Sequence, residues 1–465
     1  MYAADEHNSG PPLSQRPDIK TVIAERPIQA VSASRDLRTE FFRLWAVPLI
    51  LSGIGCVFTI LPIANAFRTP DHNKDYAIWY RAGRSILAGE PLYLRMMGGE
   101  TEYMYPPTAA VLFYAPLSIL GPVLFVVVLG LLNAASWAFC VWAATILVKE
   151  KWNGEPFWAA LASGLSIAPY VWDIQLLGQL NLLLLAMTLA AFVLLRNQRP
   201  IMCSVLFGTA VALKAFPLPA IAYFIVRRKW IAVAASVVSI VAMVWLIPGV
   251  VRGLERNTKE VKHWAAMMIG DQSGETMAAR SEIGFTRRNQ SLIAVSHRLL
   301  RHVNAGNPNK DLYVNVVDIS PKIAQIVGYG LCLLLGLLLL IACRFNFGPT
   351  PQCEGVEIAM VCTLVPLCSP LSWTYFFCWL LPGWTAIIFW ANNPVLTTQT
   401  RRFAKYGAVV AALFIISAVS EQIDPTLQAY GVTAFGSVML FLTLAYVRFN
   451  LPDRICGLDQ SAGGR

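Results

Sequence analysis

Asp75 opens the stretch "DYAIWYRAGRSILAGEPLY" directly behind a long apolar run, and a carboxylate at such a boundary is a candidate general base. Partial desolvation disfavours its charged form, raises its pKa and makes it a better proton acceptor. The competing reading is a helix N-cap, a position aspartate favours, and the two roles are compatible. Lys214 breaks the apolar stretch "VALKAFPLPAIA" and is the first candidate to hold a phosphate, because an ionisable group at membrane depth is a functional-site hypothesis. A lysine snorkelling from a helix end is the alternative. Arg81, Arg84, Arg287 and Arg288 are further phosphate partners, or simply ligands of lipid headgroups. Gln179 and Asn181, with Asp173 near in sequence, and the pair Asn289 and Gln290 offer hydrogen bonds to sugar hydroxyls. Capping, interhelical bonding or turn chemistry would use the same residues without a ligand. Tyr105, Trp373 and Tyr375 supply aromatic faces for a sugar wall, or interfacial anchors.

Asp71 lies four residues before Asp75, and two carboxylates can bind a divalent ion through oxygen. No third ligand is recognisable, so neither a metal nor a cofactor is expected. His72, His263, His297 and His302 show no metal spacing and are expected to be ordinary polar surface residues.

These residues sit in a chain of 465 residues that is 56% apolar and 14% charged, with a mean hydropathy of +0.54. Soluble chains carry about 25% charge, so the fold expected is an all-α, polytopic membrane protein. The net charge of +10 comes from short Lys and Arg clusters between apolar runs, a topology signal and not a nucleic-acid surface. The ten cysteines lie mostly in apolar runs without CxxC or Cys/His spacing, and read as packing residues.

About 12 crossings are expected: 45–66, 123–148, 156–172, 180–195, 201–213, 216–226, 231–249, 321–343, 355–371, 373–390, 406–423 and 430–447. Placing Arg35, Arg38 and Arg43 in the cytoplasm also puts Lys149/Lys151, Arg196/Arg199, Arg227/Arg228/Lys229, Arg344 and Arg401/Arg402/Lys405 there. That agreement requires "PPTAAVLFYAPLSIL", 106–120, to stop short of crossing. Residues 1–44 read as a flexible cytoplasmic tail, 45–450 as the membrane body and 451–465 as a second cytoplasmic tail. On this map the first outer loop, 67–106, and the large loop 250–320 share the outer face with the turns at 173–179 and Lys214. Tyr76, Trp79, Tyr80, Gly83, Ile86 and Leu87 recur at helical spacing, and Gly89 and Pro91 are stop signals, so the first outer loop is expected to hold an interfacial helix.

"DYAIWYRAGRSILAGEPLY" and the following "YMYPPTAAVLFYAPL", "LLGQLNLLLLAMTLAA", "GTAVALKAFPLPAIAYFIVRRKW", "RNQSL" and "CSPLSWTYFFCWLLP" resemble, in order, glycosyltransferase family 87. The resemblance covers most of residues 45–390 and implies a GT-C fold and a sugar donor carried on a polyprenyl monophosphate. It also implies that the aspartate opening the first outer-loop helix, here Asp75, is the catalytic base. One departure stands out: the family often has histidine after the Ser/Trp motif, where this chain reads Ser372, Trp373, Thr374, Tyr375. A histidine role therefore does not carry over to Tyr375, which leaves the substrate open.

The expected chemistry is an inverting transfer of a sugar, mannose first and a pentose such as arabinose second, to a glycolipid or glycan hydroxyl outside the cytoplasmic membrane. A phosphate leaving group needs cationic stabilisation more than a general acid, so one carboxylate suffices where glycosidases need two. The other class is a lipid or solute transporter, or an inactive lipid-binding member of the family. A transporter would favour ionisable residues at the bilayer midplane and repeated halves; no repeat is evident, and the polar candidates gather at one face. The partners expected are the polyprenyl-phosphate sugar, the glycolipid or glycan acceptor and membrane lipids, with no nucleic acid.

Overall fold

The computed structural model describes residues 26–69, 73–93, 103–149, 157–266, 268, 284–306, 310–343, 350–419 and 425–451. Most of the two expected tails, Asp71, His72 and parts of both outer loops lie outside the described residues. The chain divides into the units Met1–Ala46 and Val47–Arg465, and the second carries everything that follows.

Helices account for nearly all of it. In chain order they are α1 (Arg26–Arg68), α2 (Lys74–Leu87), the broken α3 (Pro107–Ala109, a π turn Ala110–Tyr114, then Ala115–Ser118) and α4 (Pro122–Lys149). Next come α5 (Phe157–Leu165), α6 (Ala168–Leu177), α7 (Asn181–Arg196), α8 (Pro200–Leu213) and α9 (Ile221–Val226). Then follow α10 (Trp230–Arg252, with a π turn at Ala242–Leu246), α11 (Leu254–Ala265), α12 (Leu292–Leu300), α13 (Pro321–Ala342) and α14 (Pro351–Cys368). A 3₁₀ segment, Thr374–Leu380, leads into α15 (Leu381–Trp390), followed by α16 (Thr398–Val419), α17 (Pro425–Tyr430) and α18 (Val432–Phe449). Among the described residues there is no strand, only a single antiparallel bridge between Asn289 and Trp373. Proline opens α3, α8, α13 and α14, where its missing N–H leaves no helical bond unmade.

The expected all-α polytopic fold is the one observed, with its crossings built differently from a row of equal rods. Among the described residues, five helices are long and apolar enough to span: Trp45–Arg68, α4, α10, α13 and α18. Others are shorter or broken; the expected span 156–172 becomes α5 and the start of α6. Along α13 only 17% of the apolar window is buried, against 67% along α18, so α13 belongs to the lipid-facing wall and α18 to the interior. Exposed Ile326, Leu333, Leu334 and Ile341 on α13 are what hydrocarbon replaces water around. The core is contiguous, with α4 packed on α7, α14 and α15, and α18 on α14 and α16.

The helix expected in the first outer loop forms close to where its spacing predicts. α2 ends at Leu87, and Gly89 follows at φ +72, a left-handed stop. It buries Tyr76, Trp79, Gly83 and Ile86, while Leu87 is exposed. A Cβ at Gly83 would collide with the backbone of Tyr114 and with Ser118 Oγ, so glycine here allows α2 and α3 to touch. α3, at 12 residues from Pro107 to Ser118, is about 18 Å long, short of a hydrocarbon core of about 30 Å.

Candidate active site

Asp75 is the second residue of α2 and does not cap it. The N-cap is Asn73, whose side chain bonds Pro62 O at 3.0 Å. Lys74 between them has φ +49, a left-handed conformation that costs a non-glycine residue about 1–2 kcal/mol. The carboxylate turns inward instead, and Oδ2 accepts a short hydrogen bond from Gln179 Nε2. Oδ1 has no hydrogen bond among the described residues.

Gln179 is held on several sides. α6 ends at Gly178 in the left-handed conformation, φ +79, and a Cβ there would strike the ring of Tyr76. Tyr76 and Trp79 fasten α2 to this turn through Gln175 O at 2.7 Å and Gly178 O at 3.0 Å. Asn133 Nδ2, from the middle of α4, donates to Gln179 O at 3.0 Å. The Gln179 Oε1 atom accepts from the Tyr105 hydroxyl and, at 3.4 Å, from Lys214 Nζ.

Lys214 ends α8 in an extended conformation and is half-buried. Its ammonium donates to Tyr105 Oη at 3.0 Å and Asn181 Oδ1 at 3.1 Å. It also lies 4.2 Å from the centre of the Phe376 ring and 5.8 Å from that of Tyr375, contacts that favour a cation. Tyr105 is stacked on Trp79 with centroids 4.5 Å apart, so one of its faces is already occupied. Asn181 is fully buried, and its Nδ2 has no partner.

Burial pushes the Asp75 carboxyl above its ordinary value, opposed by the Gln179 bond and the charges of Lys214 and Lys74. Lys214, in the turn between α8 and α9, is pulled down to about 7 by burial, against the attraction of Asp75. Burial also holds the Tyr105 phenol well above its ordinary value, with Asp75 adding to the effect. The site therefore favours neutral forms through desolvation and charged forms through mutual attraction, a balance in which modest rearrangement moves a proton.

The candidates divide into two groups. Asp75, Tyr105, Gln179, Asn181, Lys214 and Tyr375 are brought together, and Asp173 on α6 lies with Asp75 within electrostatic reach of Tyr375. The charges acting on Asp75 are those of Lys214 and Lys74; Arg81 is half-buried and Arg84 exposed further along α2. Arg287 is half-buried with its N–H bonded to Ala305 O at 2.8 Å, and Arg288 is exposed. Asn289 spends its amide on backbone: Nδ2 donates to Gly284 O and Pro370 O, and Oδ1 accepts from the N–H groups of Ser291 and Ser372. Gln290 Nε2 likewise donates to Arg287 O and Gln428 O. Both residues pin the 284–291 segment to the turn that carries Trp373. His297, expected at the surface, is instead buried and stacked on Phe285 at 4.7 Å, with its pKa lowered to about 4 by burial and by Arg301.

Sequence reasoning missed Asn133 and Phe376. Asn133 carried a visible signal, an amide in the middle of the apolar run 123–148; Phe376, one aromatic among several in "TYFFCW", carried none.

The helical membrane body folds a carboxylate, two amides and a cation into one largely buried cluster. The chain belongs to glycosyltransferase family 87, whose model matches residues 103–370, more than half of its length; it is a membrane glycosyltransferase. The match includes Tyr105, Gln179, Asn181 and Lys214, while α2 with Asp75 precedes it and Trp373 and Tyr375 follow it. The chain is 26% identical over 335 residues to a polyprenol-phosphate-mannose-dependent α-(1-2)-phosphatidylinositol pentamannoside mannosyltransferase of Mycolicibacterium smegmatis, covering 71% of this chain and 70% of that one. It is also 26% identical over 368 residues to the corresponding phosphatidylinositol mannoside mannosyltransferase of the same organism, covering 70% and 73%. Among solved structures, ArnT from Cupriavidus metallidurans aligns over 84% of this chain and 77% of its own in the apo state, at 14% identity and a TM-score of 0.35.

Proposed function

We propose that this protein transfers a mannosyl group from a polyprenyl monophosphate to a hydroxyl of a glycolipid on the outer face of the cytoplasmic membrane, with inversion and with Asp75 as general base. The observation that carries this reading is the Asp75 carboxylate, with one oxygen held by Gln179 and the other without a hydrogen bond among the described residues, beside the Lys214 ammonium. The names of the two mannosyltransferase relatives support mannose and the lipid-phosphate donor. The cation clusters of the sequence support the outer face.

In the reaction, Oδ1 of Asp75 takes the proton of the acceptor hydroxyl as that oxygen attacks the anomeric carbon. The anomeric carbon–oxygen bond breaks on the opposite face, and the electron pair leaves on the polyprenyl phosphate. Lys214 stabilises the charge that accumulates there, since hydrogen bonds to ionised groups are about twice as strong as neutral ones. Asp75 then releases its proton to water. Asn181 Nδ2, a buried donor without a partner, has capacity for an oxygen of the sugar or phosphate.

The test is a transfer assay with purified protein in nanodiscs, offering short-chain polyprenyl-phosphate mannose and membrane lipid extract, beside Asp75→Asn. Transfer by the wild type and not by the variant is expected. Equal transfer by both would remove Asp75 from the chemistry, and transfer from a pentose donor alone would replace mannose with arabinose or a related sugar.

A further inference from the structure

Gln179 stands between the two charged groups of the site, and its amide can adopt only one of its two flips. Oε1 accepts from the Tyr105 hydroxyl and, at 3.4 Å, from Lys214 Nζ; reversing the amide would set an N–H against the Lys214 ammonium and the amide oxygen against the Asp75 carboxylate. Nε2 must therefore face Asp75, and it meets Oδ2. The backbone is just as constrained, by the Asn133 bond to Gln179 O at 3.0 Å, the bond from Gln179 N–H to Ile174 O at 3.1 Å and the left-handed turn at Gly178. The residue is 2% exposed, which leaves it little surface to offer a sugar.

We infer that Gln179 is a positioning residue for Asp75: its locked amide fixes Oδ2, leaves Oδ1 for the acceptor hydroxyl, and favours the ionised carboxylate that can accept a proton. This inference rests on the reading of Asp75 as the base. A hydrogen bond donated to a carboxylate stabilises the charged form against burial, and among the described residues Gln179 supplies the one side-chain hydrogen bond acting on this carboxylate. The other groups that face Asp75 are Lys74 on its own helix, Lys214 after α8, Tyr105 just before α3, Tyr114 in the π turn of α3, and Tyr375 in the 3₁₀ segment. Only the two lysines bring positive charge, and Lys214 is also the group that fixes the flip. The amide thus links the cation that meets the phosphate to the carboxylate that takes the proton, while preventing the two from closing into a direct salt bridge.

The experiment is a pH–rate profile of kcat and kcat/KM in nanodiscs for wild type, Asp75→Asn, Gln179→Met and Gln179→Glu. Gln179→Met keeps the shape and removes the amide. Gln179→Glu keeps acceptors for Tyr105 and Lys214 and replaces the donor with an acceptor; it carries the test if the methionine variant does not fold. With Asp75→Asn inactive, both Gln179 variants are expected to keep the donor and acceptor KM within about threefold and lose about tenfold in kcat, part of the 10²–10⁴ that a positioned base supplies. Their acid limb should move to higher pH, further for glutamate, because two adjacent carboxylates resist joint ionisation. A raised KM with an unmoved acid limb would make Gln179 a substrate ligand and overturn the inference. Full transfer by Asp75→Asn would overturn the reading of the base on which it rests.

Discussion

Two of the buried charge clusters among the described residues are built on opposite plans. In one, Oε2 of Glu357 on α14 accepts from Arg227 and, at 2.9 Å, from the Tyr223 hydroxyl, while its Oε1 accepts from Arg448 on α18 at 2.9 Å. All four residues are nearly inaccessible. In the other, Asp75 and Lys214 never meet; Gln179 stands between them, Asp75 Oδ1 and Asn181 Nδ2 are unspent, and Lys214 is half-buried. Glu357 lies 11 residues from the end of α14 that leads to Trp373 and Tyr375, about 17 Å along the helix. A direct, closed pairing joins three helices, whereas a mediated, open one keeps both charges available to a substrate.

The sharpest way to break that contrast is to remove one carboxylate from each cluster. Asp75→Asn should lower kcat by about 10²–10⁴ with little change in thermal unfolding, measured by transfer assay and by a melting curve in detergent. Glu357→Gln should do the reverse: two arginines left without their carboxylate should cost about 3–5 kcal/mol, read as a lower Tm, with kcat per folded molecule close to wild type. An inactive but stable Glu357→Gln would erase the distinction.

Lys214→Met comes next. Losing hydrogen bonds from a charged donor costs about 1.5–3 kcal/mol, so kcat/KM for the lipid-phosphate donor should fall roughly 10- to 100-fold, with kcat falling because the charge that Lys214 meets grows in the transition state. The pH dependence is a subtler probe. With its folded pKa raised above the unfolded value, Asp75 ionises only at higher pH, so transfer should fall on acidification before an ordinary aspartate would titrate. The sign for stability is opposite: where the folded state binds the extra proton, the contribution of Asp75 to stability grows as pH falls. Asp75→Asn should remove that contribution from the pH dependence of Tm. Arg84→Ala, at an exposed position on α2, should change stability by no more than about 0.5 kcal/mol and leave transfer within about twofold of wild type.

Local pattern made α2 legible, since the spacing of Tyr76, Trp79, Gly83 and Ile86 and the stop at Gly89 are properties of a few neighbouring residues. The order of the family motifs brought Asp75, Gln179 and Lys214 onto one list although more than a hundred positions separate the first from the last. Which atoms they share was not legible, because the contact of Gln179 with Asp75 depends on how α6, α8 and the start of α2 pack. The same limit explains Asn289 and Gln290: an amide in a loop looks alike whether it awaits a sugar or is spent on the backbone around Pro370 and Gln428. The span count blurred for a physical reason too, as pieces such as α5 and α6 carry the composition of a crossing without its length.

The π turn at Ala110–Tyr114 sets a tolerance in chain length. A five-residue hydrogen-bonded ring holds one residue more than the α form, so losing a residue there would let the helix close into regular α geometry without opening a gap. A π turn winds less per residue than an α turn, so it absorbs the roughly 100° that one added residue would otherwise introduce, and the side chains on either side of the deletion would keep their relative facing. Tyr114, stacked on Trp79 at 5.4 Å, and Ser118, which donates to Tyr80 O, would still face α2 together. The π turn thus takes up one residue without changing the phase between α2 and α3, and a one-residue deletion in 110–113 should be tolerated by the fold and by the reaction alike.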